Sequence, residues 1–98
     1  MSIQRGDGRK IVTTAATREA LSATSVPITE VIITAETDNT GVIVVGVNTV
    51  VALLATRQGT PLLAGESCVI SEDNLTEIYL DSTVSGDGVT YQWIKKVN

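Results

Sequence analysis

The sequence predicts an all-β fold, a compact antiparallel β-sandwich or jelly-roll-like barrel of about eight short strands with an extended N-terminal arm. Three observations carry this expectation. The chain holds 13 Val, 9 Ile and 14 Thr against 7 Leu and 8 Ala, and β-branched side chains suit a pleated sheet while losing rotamer freedom in a helix. Clusters of Gly, Asn, Asp, Ser and Pro punctuate the chain about every ten residues. The apolar runs between them are short, and the clearest alternates with the two-residue period of a half-buried strand. Ninety-eight residues suffice for one domain with a modest core.

The elements follow in order. Residues 1–10, "MSIQRGDGRK", are polar, contain two Gly and show no periodicity, so they read as an arm preceding a domain over 11–98, with "RKIVTT" opening the first strand. "TREALSATSVP" mixes helix formers with Thr, Ser and Pro27 and is expected to be extended. In "ITEVIITAE", residues 28–36, Val31, Ile33 and Ala35 share one face and Glu30, Thr34 and Glu36 the other, with Ile32 breaking the pattern. "TDNTG" at 37–41 is a turn, since Asp and Asn side chains bond their own backbone and Asn and Gly tolerate positive φ. After the apolar run "VIVVGV", Asn48 or Thr49 could cap a helix ending at Gly59, but Val50, Val51 and the short span favour a strand over 49–55. "TPLLAGES" turns at Ala64 and Gly65, "SCVIS" is a strand, "EDN" a loop, and "LTEIYLD" and "VTYQWIKK" are strands joined by a hairpin at "SGDG", residues 85–88.

Charge is distributed unevenly. Residues 1–18 carry Arg5, Arg9, Lys10 and Arg18 against Asp7, net +3, whereas residues 19–94 carry ten acids against Arg57, net −9. The overall charge of −4 argues against nucleic-acid binding, which needs a basic face to displace counterions from phosphates. No apolar run approaches membrane-spanning length, and the polar N-terminus lacks a secretory signal pattern. The basic arm is expected to strap onto an acidic neighbour through Ile3, Arg5, Arg9 and Lys10.

Catalytic chemistry finds few groups. There is no His, and the lone Cys68 sits in the apolar run "ESCVI", so neither a nucleophile–base pair nor a His-ligated metal site is expected, and Cys68 reads as a small core residue. Glu66, Glu72, Asp73, Glu77, Asp81 and Asp87 cluster late in the chain, but a glycosidase cleft also needs aromatic rings to stack sugars, and the chain has only Tyr79, Tyr91 and Trp93. The acidic turns lack the alternating oxygen ligands of a Ca²⁺ loop. No enzyme activity, cofactor or metal is therefore expected. "RGD" at Arg5–Asp7 is a three-residue match to an adhesion motif in an arm, and "NLT" at Asn74–Thr76 a glycosylation acceptor without a visible secretory signal; both read as chance.

"VIVVGV" and "VVALLA" are apolar on both parities. Either another surface covers their second face or they lie at the centre of a closed sandwich. The first option makes Val42, Ile43, Val44, Val45, Val51 and Leu53 candidate subunit contacts.

Taken together, "LSATSVP", "VIITAETDNTGVIVVG", "GTPLLAGES", "DNLTEIYLD" and "SGDGVTYQW" resemble a small virion protein of tailed bacteriophages, over residues 21–93. The matching positions are turn and core residues, so they specify a fold more firmly than a role. The resemblance implies a non-enzymatic β-sandwich that decorates or cements the capsid shell at the head surface of the virion, often as a homotrimer, bound to the phage major capsid protein and assembled in the host cytoplasm. Similar sandwiches serve as tail, neck or fibre adaptors. A carbohydrate-binding module is a third expectation, and it requires an exposed aromatic platform built from Tyr79, Tyr91 and Trp93.

Overall fold

A computed structural model describes residues 2–97. Eight strands form: β1 (Ser2–Ile11), β2 (Glu19–Ala20), β3 (Glu30–Ala35), β4 (Ile43–Gly46), β5 (Thr60–Leu62), β6 (Ser67–Ser71), β7 (Tyr79–Ser82) and β8 (Gly88–Val97). They make two antiparallel four-stranded sheets, one ordered β1-β8-β3-β6 and the other β2-β7-β4-β5. The all-β sandwich expectation holds.

Alternation explains the core. Val31, Ile33 and Ala35 of β3 and Val89 of β8 point inward from the first sheet and meet Ile43, Val45, Leu62 and Leu80 from the second. Leu21, Ile28, Leu75 and Ile78 close one end of this layer. Fully burying one such side chain contributes about 1.5–3 kcal/mol, so a charge at any of these sites would act on folding before it acted on binding.

Topology departs from the sequence expectation at the turns. Only the β4–β5 connection stays within a sheet; every other connection crosses to the opposite one. "SGDG" is therefore a sheet-to-sheet crossover between β7 and β8, not a hairpin. Gly86, at φ +93, sits in a β-bulge in which its N–H donates to Val12 C=O and Val12 N–H donates to Asp87 C=O, both at 2.9 Å. The 63–66 corner likewise passes the chain between sheets, and Glu66 closes it by accepting from Leu63 N–H at 2.7 Å. The turn at 37–41 is built by side-chain bonds, since neither Asn39 nor Gly41 has positive φ: Asn39 Nδ2 donates to Gly88 C=O at 2.9 Å while its Oδ1 accepts from Gly88 N–H at 3.0 Å.

Two further expectations are corrected. Residues 49–55 form neither strand nor α-helix; a single bridge joins Val51 to Gln58 and a 3-10 turn spans Leu54–Thr56. In "LTEIYLD", residues Leu75–Glu77 are a 3-10 turn capped by Asn74, and the strand starts at Tyr79.

The N-terminal segment is extended, as expected, but it is a strand of the sheet. Ser2 through Ile11 pair in unbroken register with Val97 through Gly88. Since β3 covers β8 only between Val89 and Ile94, residues 2–4 and 95–97 run on as a two-stranded ribbon, consistent with extents of 44 × 25 × 19 Å.

Candidate functional site

The expected subunit contacts in β4 are not at the surface. Ile43, Val44 and Val45 are at most 1% exposed within the single chain. Val45 and Ile43 face the sandwich core, and Val44 faces a second cluster with Val50 and Ala52, flanked by Val42 and Tyr79. The long β4–β5 connection thus folds back over the outer face of its own sheet. This settles the double-parity apolar runs: the covering surface is residues 47–58 of the same chain. Ile43, Val44 and Val45 are core residues, Val42 and Val51 are half-buried, and of the six candidates Leu53 alone is exposed, at 59%, next to Leu54 at 77%.

Four of the six acidic residues of the last third, Glu66, Glu72, Asp81 and Asp87, accept backbone hydrogen bonds. Asp81, 3% exposed, accepts from Ala52 N–H at 2.9 Å and Ser82 N–H at 2.8 Å, pinning the folded-back connection to β7. Asp87, 6% exposed, accepts from Thr40 N–H at 3.2 Å and Gly41 N–H at 2.8 Å, tying the β3–β4 crossover to the bulge. A buried carboxylate satisfied by backbone donors stabilises a loop, and its lone pairs are already in use. Among the described residues no group of three or more His, Cys, Asp or Glu side chains is placed to share a metal ion. Burial pushes the Cys68 thiol up, away from the thiolate a nucleophile needs.

The basic residues expected to strap onto a neighbour divide into two sets. Arg9 forms a two-pronged ion pair with Glu36, and its side chain is exposed while that of Glu36 is nearly buried. Lys10 Nζ lies 3.0 Å from Glu19 Oε1, and Glu19 Oε2 also accepts from Thr13 N–H at 2.7 Å. The hydrogen bond and charge of Arg9 hold the Glu36 carboxyl below the usual range. Burial works to raise that of Glu19, but the bonds from Lys10 and Thr13 prevail and lower it. For Arg9 and Lys10 the acidic neighbour is therefore the chain's own body. Ile3, 44% exposed, and Arg5 remain at the surface, and no ion pair engages Arg5 among the described residues.

Tyr91 and Trp93 lie on the inward face of β8, half-buried against the core, and cross to Gly8 and Gly6 of β1. A Cβ at Gly6 would overlap the Trp93 ring, and one at Gly8 the Tyr91 ring. The glycines of "RGDG" are thus seats for two aromatic rings, a role their composition concealed. A usable signal was present: the glycines are two apart, as are the aromatics, and both pairs lie in extended segments. Tyr79 packs against the Val44 cluster. The three rings do not form an exposed platform. The "RGD" tripeptide is accordingly strand, with Arg5 and Asp7 on the outer face of the sheet. In "NLT", Asn74 Nδ2 donates to Ser25 Oγ at 2.8 Å and its Oδ1 accepts from Val26 N–H at 3.0 Å and Thr76 N–H at 3.1 Å, so the amide is committed to the fold.

Several large apolar side chains also remain at the surface. Ile32 (41% exposed) and Val69 (58%) sit side by side on the outer face of the first sheet, in a row continued by Gln92 and Asp7. A shallow groove of about 500 Å³ beside them is lined by Asp7, Arg9, Ile32, Thr34, Thr90 and Gln92. No helix among the described residues is long and apolar enough to cross a membrane. No protein-family model, curated protein or solved structure matches the chain.

Proposed function

We propose that this chain is a non-enzymatic structural protein of a tailed-phage virion, a decoration or cement protein that self-associates, as a trimer, and bridges subunits of the major capsid protein on the head surface. The observation that supports an assembly role is what the surface displays: Leu53 and Leu54 at the tip of the folded-back connection and the Ile32–Val69 pair on the outer face of the first sheet. Exposed apolar side chains grouped on rigid elements suit protein contact, while the buried carboxylates hold loops. The sequence resemblance supplies the choice of virion. Contacts made only in the assembled shell stabilise that shell by mass action, raising the temperature or internal pressure at which capsomers separate.

The same geometry would serve a tail, neck or fibre adaptor. A sugar-binding module is disfavoured because Tyr91 and Trp93 pack on the core. Deleting the gene from the phage that encodes it and imaging the particles by electron microscopy tests the proposal. Heads lacking surface protrusions and losing DNA at lower temperature are expected. A missing tail component would transfer the role to the adaptor, and particles of unchanged composition and heat resistance would overturn both.

A further inference from the structure

We propose that copies of this chain join edge to edge, β1 of one copy adding to β6 of the next, so that the first sheet continues from molecule to molecule. The inference deepens the self-association in the proposed function and rests on it only in that copies must meet.

β1 and β6 are the two edges of the first sheet. Hydrogen-bond phase shows which backbone groups they offer. Val12 N–H bonds to Asp87 C=O at 2.9 Å; alternating from there, the even-numbered residues of β1 bond to β8, and Ile3, Arg5, Asp7 and Arg9 turn their N–H and C=O to the free edge. Ala35 N–H bonds to Glu66 C=O at 2.9 Å, so by the same alternation Ser67, Val69 and Ser71 offer theirs at the opposite edge. Neither strand contains Pro, and β1 keeps its register without a bulge over all ten residues. Free edges of this kind are normally blunted in monomeric proteins or used for pairing.

Charge selects the occupant. β1 pairing with a second β1 would set Arg5 and Arg9 against like charges, and β6 pairing with a second β6 would juxtapose the Glu66 and Glu72 that flank it. β1 against β6 avoids both repulsions and sets Arg5 and Arg9 opposite Ser71 and Ser67. Direction agrees: strands alternate across the sheet, so a second copy advanced along the hydrogen-bonding direction presents its β1 antiparallel to β6. In the row-matched register, Arg5 of the added strand lies at Ser71, beside Glu72, Asp7 at Val69, and Arg9 at Ser67, beside Glu66. Such a contact is head-to-tail and generates a closed ring or a filament.

Sedimentation velocity of the purified full chain over a dilution series tests this. Wild type is expected to assemble in a concentration-dependent manner. Val69→Pro, which removes the free-edge N–H at the centre of β6, and Arg5→Glu, which reverses the charge of β1, should each weaken assembly at least tenfold with unchanged circular dichroism. Both side chains are exposed, so neither change touches the core. Combining Arg5→Glu with Ser71→Arg, which stands directly opposite in this register, should restore assembly in one chain, and mixing the two blocked variants should give dimers that stop there. A wild type monomeric at every concentration, or either blocked variant assembling as wild type does, would overturn the inference. Because no particle enters the assay, its failure is separable from failure of the virion reading, which the gene deletion judges.

Discussion

Trp93 lies flat over a position that must be glycine. The indole and the Tyr91 ring bridge the inner face of β8 to Gly6 and Gly8 of β1, and any side chain there meets the ring directly. Gly6→Val is therefore expected to lower unfolding free energy by about 1–3 kcal/mol in urea titrations, the usual range for overpacking. Gln4→Val, on the same face two residues earlier and exposed, should stay within about 0.5 kcal/mol of wild type. Equal effects of the two changes would show that Gly6 is not a seat for Trp93. The buried positions of β3 were legible from alternation alone, because Val31, Ile33 and Ala35 declare their face locally. The Gly6–Trp93 contact was not, since it depends on a register between opposite ends of the chain that neither end specifies.

At the scale of elements, two devices hold irregular or edge segments in place. The connection over 47–58 is fastened by Asp81 through Ala52 N–H, with Arg57 Nε donating back to Ala52 C=O at 2.9 Å. Removing a buried acceptor leaves its donors unsatisfied at a cost of about 1–3 kcal/mol, so Asp81→Ala should destabilise by that amount and make the peptide bond after Arg57 sensitive to trypsin in the native state. Wild-type resistance in the variant would count against the fastening role. This segment was the least legible element: its β-branched residues favour a strand that does not form, and the deciding partner is a carboxylate on β7. The second device is the pair of ion pairs, Arg9–Glu36 and Lys10–Glu19, that anchor the end of β1. Both carboxyls titrate below their ordinary value in the folded chain, so their stabilisation is fully present above the unfolded pKa of about 4.3 and is lost as pH falls through the folded values. Amide exchange of the β1 residues Gly8 and Lys10 should accelerate below that pH relative to β3 in wild type. In a Glu19→Gln, Glu36→Gln variant the acid-induced part of this acceleration should vanish; its persistence would place the pH response elsewhere.

For the whole molecule, the sandwich was legible from composition and turn spacing, while the order of strands was not. Sequence proximity suggested a hairpin at "SGDG" and a detachable arm at residues 1–10; the folded chain makes the first a crossover and the second a sheet edge. Deletion of residues 1–8 should therefore lower the thermal midpoint of the isolated domain, because it uncovers Tyr91 and Trp93, and an unchanged midpoint would restore the arm. We propose a virion component whose copies contact one another through the first sheet. A cryo-electron microscopy map of the intact particle of the encoding phage tests it most directly. Density on the head surface that fits the two-sheet domain is expected, with β1 of one copy beside β6 of the next. A complete particle map with no density for this domain at the head, neck, tail or fibres would contradict it.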